Sequence, residues 1–551
     1  MSLIERPAPP PDRRRVVAAS VFMVAACFVI LARLWYLQVV LGADLLRASE
    51  RTRTRVLRRP PPRGLITDAR GQVLATTRSR IVVSVLPEQH GKDPTLMARL
   101  AKLLGTSKAD LEAVFQENKV DAFQPVRVAW DIGLGVATRI EERLYTLPGV
   151  LIGLEPIRAY PAGPEFGHVL GYVGQCSEED LKQRAAAGYL RGDVCGKTGV
   201  EGGPFDAYLR GQDGGTTVEV DAQGRVEGQL AASDPVAGAT LRLHIVGSLQ
   251  RRAYTELMAH VHRGRPGAAV AMDPRTGAVL ALVSAPSYNP ASFEGGIPAK
   301  IWAELHNNRL KPLINRATSS ATAPGSVFKL VTAIAGLETD RITPWDTTYC
   351  SGMIHLGRWP KRCHKRSGHG TVNLTEAIAK SCDVFFYRLG QRLGPETMAS
   401  YARMMGFGSR TGIDLPSVES AGIVPDPEWK VRRKLGPWVG GDTVDFAIGQ
   451  AMLGCTPLQV CTAVCAIANG GTLYAPQLVA SVIEHTADGE ERLTRVTPKV
   501  NRTLQFKTGT LPAVIRGMES VMQRGGTASL SAIPGLRVAG KTGTAQRVQR
   551  G

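Results

Sequence analysis

The apolar positions of the chain fall into three textures. From Val16 to Gly42, "VVAASVFMVAACFVILARLWYLQVVLG" is apolar almost throughout and carries one charge, Arg33. That run predicts a helix long enough to cross a hydrocarbon core of about 30 Å. From residue 43 to about 240 the apolar runs are short, as in "RIVVSVLP" and "TTVEVDAQG", and Arg, Gly and Pro break them. They predict strands separated by turns, hence an elongated, β-rich module. A Gly-rich turn, "CGKTGVEGG", leads there into the helix-like "FDAYLRG". From about 266, "GAAVAMDPRTGAVLALVSAPS" predicts two strands joined by a turn, "SVFKLVTAIAGLE" and "LQVCTAVCAIANGG" predict helices, and "LRVAG" predicts a late strand. Strands, then helices, then a strand place an α+β domain over 266–551.

Composition sharpens this picture at three points. The 551 residues allow about two to four domains. The net charge of +19 demands an acidic partner or surface. Nucleic acid is disfavoured, because no recognition motif or aromatic-basic platform accompanies the scattered arginines, and an anionic membrane surface fits better. A cleaved signal peptide and a lipoprotein signal at "VAAC" are the alternatives to an anchor. The apolar run continues past Cys27 through "FVILA" to Trp35 and Tyr36, which favours the anchor over both. Residues 1–15, with Arg13, Arg14 and Arg15, are then the cytoplasmic tail. Arg51, Arg53, Arg55, Arg58 and Arg59 blunt the signal on the other side, but a large following domain translocates regardless of charge. The expectation is a single-pass protein of the bacterial inner membrane with its bulk in the periplasm. Nine cysteines, odd in number and unevenly spaced, do not describe a disulfide scaffold.

The chemistry turns on a tripeptide, Lys-Thr-Gly, found three times: at Lys197, Lys507 and Lys541. The first lies in a Gly-rich turn, and the second follows polar "NRTLQF" and approaches the amphipathic "LPAVIRGMESVM". The third ends the strand-like "LRVAG". In "ATAPGSVFKLVTAIAGLETD", Ser326 opens a helix and Lys329 follows one turn on, on the same face. A serine becomes a nucleophile when a base takes its proton, and a lysine can be that base once burial or charge lowers its pKa. The Ser326 backbone N–H, near the helix start, would favour a developing oxyanion, and Thr544 N–H could complete the hole. Alone, S-x-x-K is weak. It is joined by Ser381, Cys382 and Asp383 in "AIAKSCDVFFYRLG" and by Lys541, Thr542 and Gly543, in the order of the serine acyl-transferases.

With these motifs, and with "PPRGLITDARGQVLA", "FGHVLGYVG", "TGIDLPSVESAG" and "AIGQAMLGCTPLQV", the chain resembles the class B penicillin-binding proteins, above all their rod-elongation subgroup. The resemblance implies a dimerisation-type pedestal over 43–240 and a β-lactamase-like transpeptidase domain, an antiparallel sheet flanked by helices. It implies that Ser326 is acylated by the D-Ala-D-Ala end of a peptidoglycan stem peptide, releasing D-Ala, and that a neighbouring stem's amine then resolves the ester into a cross-link. Penicillins and other β-lactams would acylate the same serine, and a D,D-carboxypeptidase side activity is possible chemistry. Lys329 would be the acylation base, Ser381 a proton relay, and Lys541 with Thr542 the donor carboxylate site, Gly543 leaving room for substrate to pair with the strand edge. Two departures stand out: S-C-D replaces the usual S-x-N, which the elongation subgroup tolerates, and "TAPGS" replaces "PPGS". Only eight residues follow Gly543, so the transpeptidase domain is expected to be truncated before its last strands and helix.

Cys350, Cys363, His369 and Cys382 gather in the stretch before Asp383. Three thiolates and an imidazole suit tetrahedral zinc, and the elongation subgroup implies a structural zinc site at these four positions, with His364, His355 and Asp346 as substitutes. A Cys350–Cys363 disulfide and buried free thiols are the alternatives, and no organic cofactor is expected. A division-specific transpeptidase, a β-lactamase, a β-lactam sensor and a scaffold that activates a glycosyltransferase were the competing functions. The S-x-D motif, the pedestal, the short cytoplasmic tail and the full catalytic set weigh against them in turn. With no glycosyltransferase module before the serine domain, a SEDS-family polymerase and elongation-complex proteins are the expected partners.

Overall fold

The computed structural model describes residues 13–41, 54–119, 125–220, 226–294, 296–415, 419–486 and 488–545. Gly42, Arg51, Arg53, most of the expected cytoplasmic tail and the middle of "TGIDLPSVESAG" lie outside them. Two compact units result, one of Met1–Pro61 with Gln212–Val236 and one of Pro62–Gly211 with Ala237–Gly551.

The first unit holds the apolar helix Arg13–Trp35, continued by a wider turn over Tyr36–Val40. Its candidate span, Val16–Val40, is apolar and is buried nowhere along its length. The same unit holds an antiparallel sheet whose middle strand, Gly214–Val220, pairs with Thr54–Arg59 and Val226–Ser233.

The second unit is organised on a seven-stranded sheet. Across it run Glu491–Arg495, Val479–His485, Thr240–Leu243, Ile66–Thr67, Val73–Val85 and Val126–Trp130, while Val150–Ala159 pairs with the long strand Val73–Val85. Strands from both ends of the sequence thus share one sheet. One core follows from it, in which Ile66, Leu74 and Phe166 pack with Val279, Leu458 and Val482. Residues 43–240 are less purely β than the apolar runs predict. Helices Leu96–Leu104, Lys108–Asn118 and Leu134–Glu141 bury Leu100, Phe115 and Ile140 against Val83 and Val126. Their signals are local: apolar 96, 97, 100 and 101 at helical spacing, a left-handed Gly105 closing the first, and Ser107 capping the second.

The first Lys-Thr-Gly is a structural turn. Lys197 pairs with Asp180, and Gly199, at φ +63°, passes so close to Leu170 and Gly171 that a Cβ would fall 2.3 Å from backbone atoms. Glu201 just beyond is fully buried between Arg63 at 2.6 Å and Arg158 at 2.5 Å, and Arg63 also reaches Asp206 at 2.6 Å. The second copy is also structural. Lys507 is exposed and pairs with Asp340 at 2.7 Å, and Gly509 opens helix Thr510–Met522.

In the catalytic part, strands Gly267–Met272 and Val279–Ala285 pair antiparallel as expected, and helices Lys329–Glu338 and Pro457–Ala468 form where the apolar spacing places them. The late strand does not. Residues 536–545 carry no ladder, because a strand exists only beside a partner's N–H and C=O groups and, among the described residues, none runs alongside.

Candidate active site

Ser326 lies in the tight turn Gly325–Phe328, which runs straight into helix Lys329–Glu338. Phe328 stacks on Phe446, with ring centroids 5.2 Å apart, and helix residues 329–337 are all buried, so the turn is clamped on the largest core. Lys329, at the helix start, is 0% exposed. A charge so placed must be answered at once. It is: the ammonium donates at 2.7 Å to Asp383 Oδ1, at 2.8 Å to the Ser381 carbonyl and at 3.1 Å to Ser381 Oγ.

Those three bonds use all its donors, and Lys329 makes none to Ser326. The expected contact between the lysine and the serine hydroxyl is therefore replaced by an ion pair. The physical reason is the carboxylate at position 383, a stronger acceptor for a buried ammonium than a hydroxyl. Burial alone would raise the pKa of Asp383. Hydrogen bonds from His364 and the charge and hydrogen bond of Lys329 overcome it and hold the carboxyl well below its ordinary range. The His364 backbone N–H donates to Asp383 Oδ2 at 2.8 Å.

Ser381 and Asp383 are presented by a break between helices Leu374–Ala379 and Asp383–Leu393. Ser381 sits at φ +50°, a left-handed conformation that costs a non-glycine residue about 1–3 kcal/mol and persists where packing over-determines it. The strain aims its carbonyl at Lys329 and its hydroxyl between two lysines, for Lys541 Nζ donates to the same Oγ at 2.9 Å. With both lone pairs accepting, the Ser381 proton is left to point elsewhere.

The third Lys-Thr-Gly thus reaches the site although its strand does not form. Thr542 Oγ1 lies 2.9 Å from Thr527 Oγ1. The Thr544 carbonyl accepts from Gln450 Nε2 at 2.8 Å and passes over the serine turn, where a Cβ on Gly325 (φ +57°) would sit 2.4 Å from it. Gly543 serves the same approach: a Cβ there would lie 3.2 Å from the Pro324 carbonyl. The lysine to which the family resemblance assigns carboxylate binding has an unusual amine. Burial, and then the charge of Lys329, push Lys541 down to about 7. In the free protein it is mostly uncharged above that pH, so binding a donor carboxylate there takes up a proton. The expected result is a KM for carboxylate donors that is flat below pH 7 and rises by up to about tenfold per pH unit above it, read from initial rates between pH 6 and 9.

Cys350, Cys363, His369 and Cys382 converge, their ligand atoms within 4.8 Å of one another. All three cysteines are free, so no Cys350–Cys363 disulfide forms. His369 Nδ1 is 3.7 Å from Cys350 Sγ and 3.5 Å from Cys363 Sγ. Neighbouring vertices of a tetrahedral Cys3His zinc site are about 3.5–3.8 Å apart, so the donor set fits that ion. The backbone is shaped for the cluster: Gly352 and Gly368 are left-handed and interlock, a Cβ on Gly368 falling 2.2 Å from the Cys350 carbonyl. Cys382, the fourth donor, occupies the position just before the helix that begins with Asp383.

Of the residues singled out from sequence, Lys329, Ser381, Asp383 and Lys541 form one hydrogen-bonded cluster, and Gly543 and Thr544 lie against the Ser326 turn. Gln450 was missed as an individual residue, although its segment "AIGQAMLGCTPLQV" was noted; no spacing rule points to a glutamine that holds a distant carbonyl.

A serine at a helix start, a buried lysine one turn on, a serine bridging two lysines and a glycine-bearing segment over the turn define a serine acyl-transferase of the penicillin-binding type. The family profile for the penicillin binding protein transpeptidase domain matches residues 267–551, and that for the penicillin-binding protein dimerisation domain matches 58–243. The chain is 35% identical to the peptidoglycan D,D-transpeptidase MrdA of Acinetobacter baumannii, over 97% of its own length and 79% of the relative's. It is 32% identical to the protein of the same name from Escherichia coli K12, over 97% and 84%. The solved complex of penicillin-binding protein PBP2 with MreC from Helicobacter pylori superposes at a TM-score of 0.77, with 31% identity and 90% of each chain covered. The chain belongs to the penicillin-binding protein transpeptidases.

Proposed function

We propose that this protein is a peptidoglycan D,D-transpeptidase of cell-wall elongation. The observation that carries the chemistry is the single cluster of Lys329, Ser381, Asp383 and Lys541 beside the Ser326 turn. The elongation role is supported by relatives named MrdA and by the likeness to a PBP2 bound to MreC. Ser326 Oγ attacks the penultimate D-Ala carbonyl, and the oxyanion forms near the N–H groups of Ser326 and Thr544. Lys329 first passes a proton to Asp383 Oδ1, 2.7 Å away; its free amine then takes the serine proton, which goes on through the Ser381 hydroxyl to the leaving D-Ala amine as Asp383 returns its proton to Lys329. Lys541, regaining its proton, holds the donor carboxylate with Thr542. The acceptor amine then takes the acyl group. Incubated with a stem pentapeptide donor and an amine acceptor, the intact protein is expected to release D-Ala and form the cross-linked product. No D-Ala release under conditions where a labelled penicillin still acylates the protein would overturn the reading.

The apolar N-terminal helix supports a single-pass anchor, with the catalytic unit on the periplasmic side of the inner membrane. The partners that follow are a SEDS-family glycan polymerase and elongation-complex proteins. Zinc held by Cys350, Cys363, His369 and Cys382 would supply a structural fastening: it would pin the segment that presents Ser381 and Asp383, with all four positions taken by protein. Cys363→Ser is expected to lose stoichiometric zinc in metal analysis and to unfold at lower temperature, with penicillin acylation falling as the Ser381 turn loosens. Full zinc retention in that variant would remove Cys363 from the ligand set.

A further inference from the structure

The stretch between the metal-ligand cluster and the catalytic lysine carries a second feature that the transfer chemistry does not use. Strands Met353–Leu356 and Trp359–Arg362 form a hairpin, and the chain returns through His364 to Gly370. Between 358 and 366 it bears Arg358, Lys361, Arg362, Lys365 and Arg366 and no acid. Lys361 is answered by Asp445 at 2.6 Å. The other four are exposed, and among the described residues no carboxylate pairs with any of them. Trp359, 70% exposed, lies beneath the Arg358 guanidinium, 6.0 Å from the ring centroid. Unpaired cations repel one another, and that repulsion works against holding them in one fixed place. This arm is fixed instead. The Lys361–Asp445 pair ties it to helix Gly440–Ala447, the Tyr387 hydroxyl donates to the Arg362 carbonyl at 3.3 Å, and the His364 N–H is bonded to Asp383, itself 2.7 Å from Lys329 Nζ. A rigid, fourfold positive arm with an exposed indole therefore stands two hydrogen bonds from the catalytic lysine.

We infer that this arm binds the carboxylates of the incoming acceptor stem, so that Arg358, Arg362, Lys365 and Arg366 determine acceptor affinity and specificity. The inference rests on the transpeptidase reading. Its occupant follows from charge: a stem peptide is a polyanion, the donor's terminal carboxylate is already assigned to Lys541, and the second stem must enter beside the ester with its carboxylates unanswered. The arm acts by steering and holding; no bond is made or broken there.

The test uses the intact protein with all four residues changed to Gln, and three readouts. Acylation by a labelled penicillin reads the serine machinery, hydrolysis of a pentapeptide donor reads donor binding, and cross-link formation is followed against the concentration of an acceptor tripeptide and of its fully amidated analogue. Expected are unchanged acylation and hydrolysis and an acceptor KM raised roughly tenfold or more, in keeping with the loss of several exposed charge pairs. The native protein should prefer the charged acceptor and lose that preference in salt, while the variant should not discriminate. An unchanged acceptor KM would show a merely solvated face, a parallel loss of donor hydrolysis would move the site to the donor stem, and a fall in penicillin acylation would make the arm scaffolding. Each of these three overturns the inference. Failure of cross-linking in the native protein with intact acylation would instead count against the transpeptidase reading itself.

Discussion

A Ser326→Ala protein exposed to a labelled penicillin is expected to take up no label, while its thermal unfolding should stay within about 0.5 kcal/mol of the native protein's. The argument runs from position. Ser326 is partly exposed at the mouth of the cluster, and its side chain holds nothing in place, so its loss costs the fold little. Its loss costs the chemistry nearly everything. Removing the nucleophile of a serine acyl-transferase lowers turnover by roughly a millionfold, since the remaining oxyanion donors and binding groups cannot form the covalent intermediate. Digestion and mass spectrometry of the native protein should find the adduct on the peptide that contains residue 326. An adduct on any other peptide would remove Ser326 from its role and, with it, the reading of the whole cluster.

Asp383→Ala should cost stability first. It leaves the Lys329 ammonium, fully buried, without the carboxylate 2.7 Å away. Breaking a buried pair from one side typically costs about 3–5 kcal/mol, because the remaining charge is uncompensated. It also frees the His364 N–H, which has no other acceptor among the described residues. Acylation should fall with it, since Lys329 and Ser381 lose the partner that fixes them. Asp383→Asn keeps one acceptor oxygen, for Lys329 or for the His364 N–H but not for both, and removes the charge, so it should unfold between the alanine variant and the native protein and retain part of its acylation. Denaturant unfolding of the three proteins, each checked for metal content, decides this. Equal stability of Asn and Ala would mean that the charge of Asp383, and not a hydrogen bond that an amide can keep, holds the pair together.

Parts of this were legible before any coordinates. The long apolar N-terminal helix, the strand pair around "DPRTG" and the helices after Ser326 and Thr456 follow from local spacing and capping, and each forms where the pattern places it. The two structural copies of Lys-Thr-Gly were separable from the third by their flanks. Less legible were the helices between 96 and 141, whose periodicity is present but short and surrounded by turn residues. The strand at 536–540 was misjudged for a different reason: strand formation is a property of a pair, and the sequence of one member says nothing about its neighbour.

The chain on its own determined the identities that matter: a hydroxyl followed one helical turn later by an amine, a Ser-Cys-Asp stretch, a third Lys-Thr-Gly, and four sulfur and imidazole donors close enough in sequence to meet. These are short-range facts, fixed by covalent spacing and helix geometry. Tertiary structure alone decided the partnerships. That Lys329 answers Asp383 and not Ser326, that Ser381 bridges two lysines from a left-handed backbone, and that Lys541 loses its proton near neutrality all depend on burial and on charges brought together by the fold, 52 to 160 positions apart. Electrostatic energies vary with distance and solvent exposure, and neither is written in the order of the residues.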